Sequence, residues 1–270
     1  MFALSPLPRT LPAALRDARA AKPEVRRSAL RDLVRHADGE RRSEVVACLE
    51  SVLARDVDPA VRAEAAVALA DAAAGEALTA LLVATEDAHL RVRQLALVAI
   101  GELGEPGDPL VRAALDAALH HEAPALRYQA LIGLVRTTTG DATELLLAAT
   151  RDPDVAVRHL AVRLLEERLT AAEAGGPPTP RLELPAAAES RLRALLRDDA
   201  PRVRLAAAIL LVRAGEEAGL EAIAAAVNAA SGSFEADDEQ AAVELAGAHR
   251  LVAARRGLTR RAFGWLGFSL

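Results

Sequence analysis

The chain predicts an all-α solenoid, a stack of about six to seven short helix pairs. Three observations carry that prediction. A nine-residue pattern recurs six times along the 270 residues, and Asp- and Pro-rich turns precede its copies. The composition is 52% hydrophobic but only 2% aromatic, with close to a quarter of the chain alanine. Sheets favour aromatic and β-branched residues, whereas Ala, Leu, Arg and Glu are strong helix formers. Small side chains also cannot fill a thick core, so the helices must pack closely in thin layers.

The repeating pattern is Val or Leu, Arg, two variable residues, Ala, a small or aliphatic residue, two variable residues, and Leu or Ile. Its copies are VRRSALRDL (Val25–Leu33), VRAEAAVAL (Val61–Leu69), VRQLALVAI (Val92–Ile100), LRYQALIGL (Leu126–Leu134), VRHLAVRLL (Val157–Leu165) and VRLAAAILL (Val203–Leu211). They are spaced by 36, 31, 34, 31 and 46 residues. Turns at Lys22–Glu24, Asp56–Ala60, His120–Ala125, Arg151–Ala156 and Asp198–Arg202 supply the Asp and Pro that cap and start helices. A second apolar-periodic stretch lies before the turns, at Val45–Leu53, Leu78–Val83, Leu110–Leu119, Thr143–Ala149 and Leu192–Leu196. The unit is therefore helix A, short turn, helix B. Neither helix buries its apolar face alone, so successive units must stack.

This pattern resembles the HEAT repeat, in particular the bacterial phycobilin-lyase-like variety. The diagnostic run D-x-D-P-x-V-R-x-x-A-A-x-x-L stands almost intact at Asp56–Leu69. The resemblance covers residues 11–215 and implies a right-handed superhelix with the B helices lining its concave side. The whole chain, 1–270, is then expected to be one solenoid. Residues 170–189, with a Gly-Gly-Pro-Pro core, are expected to form a loop insertion. Residues 216–270 hold a loop at Ala230–Asp237, a degenerate seventh B helix at Val243–Leu251 and a tail.

Helical geometry sorts the motif's residues by role. At 100° per residue the motif's apolar core positions span an arc from 0° to about 140°, and the second-position arginine lies inside it at about 100°. Arg26, Arg62, Arg93, Arg127, Arg158 and Arg204 are thus expected to be buried and paired. An Asp stands five residues before the motif in four repeats, at Asp56, Asp87, Asp152 and Asp198. An Asp–Arg ladder between adjacent turns, typical of the HEAT family, is expected to hold the stack together.

The third and seventh positions face away from the core, at about 200° and 240°, and touch each other as i,i+4 neighbours. They place Gln94, Tyr128 and His159 beside Val67, Val98, Ile132 and Arg163. Apolar side chains ringed by polar ones suggest a partner groove, and Tyr128, the single tyrosine, belongs to a residue type enriched among interface anchors. The alternative is that tight curvature covers these side chains with neighbouring helices.

Other chemistries find little support. A net charge of −5 gives no field for nucleic acid or an anionic membrane. HEAT-like DNA glycosylases are strongly basic, with aromatic residues around the cleft, and this chain is neither. HEAT enzymes that hold iron do so through several His-Glu pairs, but His121-Glu122 is a single pair in a turn. No metal or cofactor is expected, and no nucleophile–base pair or phosphate loop is found. The lone Cys48 suggests a reducing compartment. The N-terminal residues make a poor signal peptide, and no apolar run of about 18 residues could span a membrane. With arginine as nearly the sole basic residue, the expectation is a bacterial, cytoplasmic protein.

The expected function is non-enzymatic: a scaffold binding another protein, of unknown identity, on the concave face of its B helices. The alternatives are an accessory lyase or other enzyme on the same scaffold, or a nucleic-acid-binding HEAT protein. A second candidate surface is the C-terminal segment. Its Arg260, Arg261, Phe263, Trp265 and Phe268 form a basic-aromatic cluster after an acidic stretch at Glu216–Glu244. It is expected either to cap the last repeats or to dock on a partner.

Overall fold

The structure, a computed structural model, describes residues 8–173, 182–230 and Gly247. Among these residues are thirteen α-helices and no strand. The chain divides into two compact units, Met1–Asp141 and Ala142–Leu270. The first holds α1 (Leu11–Asp17), α2 (Pro23–Val34), α3 (Arg42–Arg55), α4 (Pro59–Asp71), α5 (Leu78–Ala84), α6 (Leu90–Leu103), α7 (Pro109–Leu119) and α8 (Pro124–Thr137). The second holds α9 (Thr143–Ala149), α10 (Val155–Glu173), α11 (Ala186–Leu195), α12 (Pro201–Arg213) and α13 (Glu217–Ala230).

All six copies of the motif lie on even-numbered helices, α2 through α12, and these are the B helices. Proline opens α2, α4, α7, α8 and α12, where its missing N–H has no partner to lose. Asp58, Asp108 and Asp154 cap their helices by accepting from the backbone N–H groups of Ala60, Leu110 and Ala156. Helix α12 stops on Gly215 at φ +82°, with the Glu216 N–H returning to the Leu211 carbonyl. Helix α4 ends in the same way, but on Ala73 at φ +47°, with the Ala74 N–H returning to the Leu69 carbonyl.

The repeated alanine has a clear role. All six fifth-position alanines (Ala29, Ala65, Ala96, Ala130, Ala161 and Ala207) are 0% exposed. So are the six ninth-position residues, from Leu33 to Leu211. In the first unit the B helices α2, α4, α6 and α8 pack directly on one another in succession, while the A helices meet only sparsely. The B layer is thus the tight, inner side of that unit. Its closest point is a glycine pair: a Cβ on Gly101 of α6 would lie 2.9 Å from the Cα of Gly133 on α8.

Three rungs of the expected ladder are seen, while Arg93 meets no aspartate among the described residues. Arg26 reaches from α2 to Asp56 with Nε and Nη2, both at 2.7 Å. Arg62 does the same to Asp87 at 2.8 Å, and Arg158 to Asp198 at 2.9 Å. In every rung Nη1 points the other way and donates to carbonyls of the turn before its own helix: Ala20 and Ala21 for Arg26, Asp56 for Arg62, Asp152 and Pro153 for Arg158. Each guanidinium therefore joins one turn to the next, with both faces of its charge satisfied. The Arg62 hydrogen bonds hold the Asp87 carboxyl below the ordinary range for aspartate.

Of the expected insertion at 170–189, residues 174–181 lie outside the described residues, and helices border them on both sides. Helix α10 continues through the Thr-Ala-Ala-Glu run to Glu173, and α11 begins at Ala186. Runs of good helix formers extend a helix when nothing in the pattern marks its end. Leu182 is buried and its N–H donates to the Arg213 carbonyl, tying the segment before α11 to the end of α12. The degenerate repeat at Val243–Leu251, apart from Gly247, lies outside the described residues, as does the tail with Arg260, Arg261, Phe263, Trp265 and Phe268.

Candidate partner-binding face

The outward positions of the B helices are the candidate site residues, and each unit holds its own set. In the first unit, Val67 stands on α4, Gln94 and Val98 on α6, and Tyr128 and Ile132 on α8. These five side chains are half-buried, none fully exposed and none fully covered. That is intermediate between an open groove and complete burial by neighbouring helices. The sequential packing of α4, α6 and α8 leaves each of these side chains partly in solvent.

Polar contacts border this row. The Gln94 amide oxygen accepts from Arg91 Nη1 at 2.9 Å, which fixes the amide at the edge of α6. The Tyr128 hydroxyl makes no hydrogen bond among the described residues, so its ring contributes an apolar body with a free polar tip. The row's first-repeat members, Arg27 and Arg31, both reach Glu64 on α4, at 3.1 and 3.4 Å. This Arg–Glu–Arg group was not foreseen from the repeat. Its signal was Glu64 at the fourth motif position, where the other copies carry Ser, Leu, Gln, Leu or Ala.

In the second unit, His159 and Arg163 lie on α10, His159 half-buried and Arg163 exposed. Arg163 Nη1 meets Glu166 at 3.0 Å, and Glu166 also accepts from Arg213 at 2.6 Å. On α12 the same two motif positions are Leu205 and Ile209, each only 8% exposed. They form an apolar cluster with Ala208, Val212 and Ile223, the last contributed by α13. There the row is core.

Cys48 is half-buried, and desolvation pushes its thiol up from the ordinary range, which disfavours the reactive thiolate. Among the described residues no group of three or more His, Cys, Asp or Glu side chains could hold a metal ion. No helix among them is long and apolar enough to cross a membrane.

No protein-family model matches the chain, and no curated protein matches it by sequence. Solved structures do match by fold. YibA of Escherichia coli superposes with a TM-score of 0.57 at 15% identity, covering 90% of this chain and 92% of that one. The complex of CpcE and CpcF of phycocyanin lyase from a Nostoc species superposes with a TM-score of 0.50 at 20% identity, covering 94% of this chain and 97% of that one. At such identities the likeness speaks for architecture alone, and the architecture is that of an all-helical, HEAT-like repeat protein.

Proposed function

We propose that this chain is a non-enzymatic scaffold that binds another protein through the outward row of its B helices. The observation that carries the reading is the half-buried strip of Val67, Val98, Ile132 and Tyr128 on the tight side of the first unit. Partly buried side chains lose less rotamer freedom on binding than fully exposed ones, and apolar side chains bordered by polar groups match the anatomy of an interface core with its rim. Gln94 supplies a positioned amide beside the strip, and Arg27, Arg31 and Glu64 supply charge at its edge. In the second unit His159 and Arg163 of α10 are the corresponding candidates.

An accessory lyase is the alternative, favoured by the fold likeness to the CpcE–CpcF pair; that structure is itself a complex of two protein chains. Nucleic acid fits less well, given the net charge of −5 and the use of ladder arginines inside the stack. A photo-crosslinking side chain placed at position 128, and a control at Val83 on the exposed face of α5, test the main reading in the native cell. A discrete protein adduct from 128 and none from 83 is expected. Adducts of equal pattern from both positions would overturn it, and co-purification of a bound chromophore would favour the lyase.

A further inference from the structure

The ladder changes chemistry at one rung. On the intact rungs, the aspartate five residues before each motif also closes its own turn: Asp56 Oδ1 accepts from the Asp58 N–H, Asp87 Oδ1 from His89 and Asp198 Oδ1 from Ala200. In the turn between α7 and α8 that position is His121. The ring copies half of the aspartate's work, because Nδ1 accepts from the Ala123 N–H at 2.9 Å. With Nδ1 occupied as an acceptor, the rest of the ring edge offers only C–H and, at Nε2, N–H. Nothing on it replaces the carboxylate oxygens that the arginine of the preceding repeat meets elsewhere.

That arginine is Arg93. Its Nη1 donates to the carbonyls of Asp87 and Ala88, as on every other rung; on the intact rungs the Nε/Nη2 edge meets the turn of the next repeat, which for Arg93 is the turn that holds His121. Its Nε is buried with no hydrogen-bond partner, and it makes no ion pair among the described residues. Nη2 also lacks a partner but is not sealed from solvent. Arg93 as a whole is half-buried, as is Arg62 on an intact rung, whereas Arg26 and Arg158 are buried. The acid in this turn, Glu122, is exposed and its carboxylate makes no ion pair among the described residues. A buried guanidinium N–H without an acceptor is costly, and its two parallel donors match a carboxylate in bidentate geometry.

We propose that Arg93, on the rung it shares with His121, is a carboxylate-binding site. The acid of a ligand takes the place held on neighbouring rungs by Asp56, Asp87 and Asp198, pairing with Nε and Nη2. The same chemistry is available from a small free carboxylate or from an Asp or Glu side chain of a bound protein. The site lies at the A–B turns, apart from the outward row, and does not depend on that row's role.

Thermal unfolding of the full chain in sodium acetate, against sodium chloride at equal ionic strength, tests the site. The wild type is expected to gain about 2–4 °C in 100 mM acetate, the shift of a ligand present at several times its dissociation constant. H121D restores the fixed acid, so it is expected to be more stable in chloride and to lose most of the acetate response. The Arg93 Nε–Hε NMR cross-peak, assigned by its loss in R93K, is expected to move and saturate with acetate. N-acetyl-aspartyl amide separates the sources: an equal response admits a protein side chain, and a response to acetate alone restricts the site to small carboxylates. Equal melting in acetate and chloride, or a full acetate response retained by H121D, would overturn the proposal.

Discussion

Helices α8 and α12 carry the same motif, yet their outward rows have opposite fates. On α8 the third and seventh positions, Tyr128 and Ile132, are half-buried. On α12 the matching positions, Leu205 and Ile209, are sealed in a cluster that includes Ile223 of α13. The motif dictates which side of a B helix faces its own stack. What covers the other side is decided by the next element, and there a helix that breaks the repeat closes the surface.

The sharpest test of that difference uses one substitution at two equivalent positions. Ile209→Ala should cost about 3 kcal/mol, because it empties a site within a closed cluster. Ile132→Ala should cost only about 1 kcal/mol, because its side chain is already partly in water. Chemical denaturation of the two variants measures both, and equal losses would remove the distinction between the helices.

The inner packing of the first unit can be broken directly. Gly101→Ala puts a methyl group 2.9 Å from the backbone of α8, where no side chain can swing away. A loss of about 2–3 kcal/mol is expected, read by denaturation, with faster hydrogen exchange in α6 and α8.

The ladder is common to both units and should respond to acid. Because Arg62 depresses the Asp87 carboxyl in the folded chain, the unfolded chain binds that proton more readily. The rung's contribution is full at neutral pH and is lost as pH falls below about 4, through the carboxylate range. Asp198, held low by Arg158 and the Ala200 N–H against the opposing effect of its burial, loses its contribution in the same direction. Asp87→Asn should cost about 2 kcal/mol at pH 7, the scale of a charge-assisted pair. It should also flatten the acid limb of the stability–pH curve.

The smallest effect compares two helix ends. Gly215 ends α12 without strain, whereas Ala73 adopts the same left-handed conformation at the end of α4. Ala73→Gly should therefore stabilise the chain by about 0.5–1 kcal/mol.

Much of this architecture is legible in the residues. Six alanines in one register must sit where helices touch, and arginines inside an apolar arc are placed to meet acids, as Arg26, Arg62 and Arg158 do. Both follow from the helical period alone. The state of the outward row does not, because branched aliphatic residues occupy it both where it is half-buried, as at Val67, Val98 and Ile132, and where it is covered, as at Leu205 and Ile209. Helix α11 starts ahead of its apolar stretch because Ala186–Ser190 forms a helical turn without any hydrophobic periodicity to announce it. The exceptional rung at Arg93 was hidden for a different reason. A histidine in a turn reads as a candidate metal ligand, and its role as the stand-in for a ladder aspartate emerges only from the Ala123 N–H bond.

The claim that the outward row of the first unit recognises a protein is tested most directly by paired affinity purification from the native cell. The wild-type chain and the Tyr128→Ala/Ile132→Ala variant would be compared by quantitative mass spectrometry, with melting curves of both recorded alongside. A partner retained by the wild type and depleted at least tenfold with the variant, at little cost in thermal stability, is the predicted result. An unchanged set of partners with the variant still folded would contradict the account.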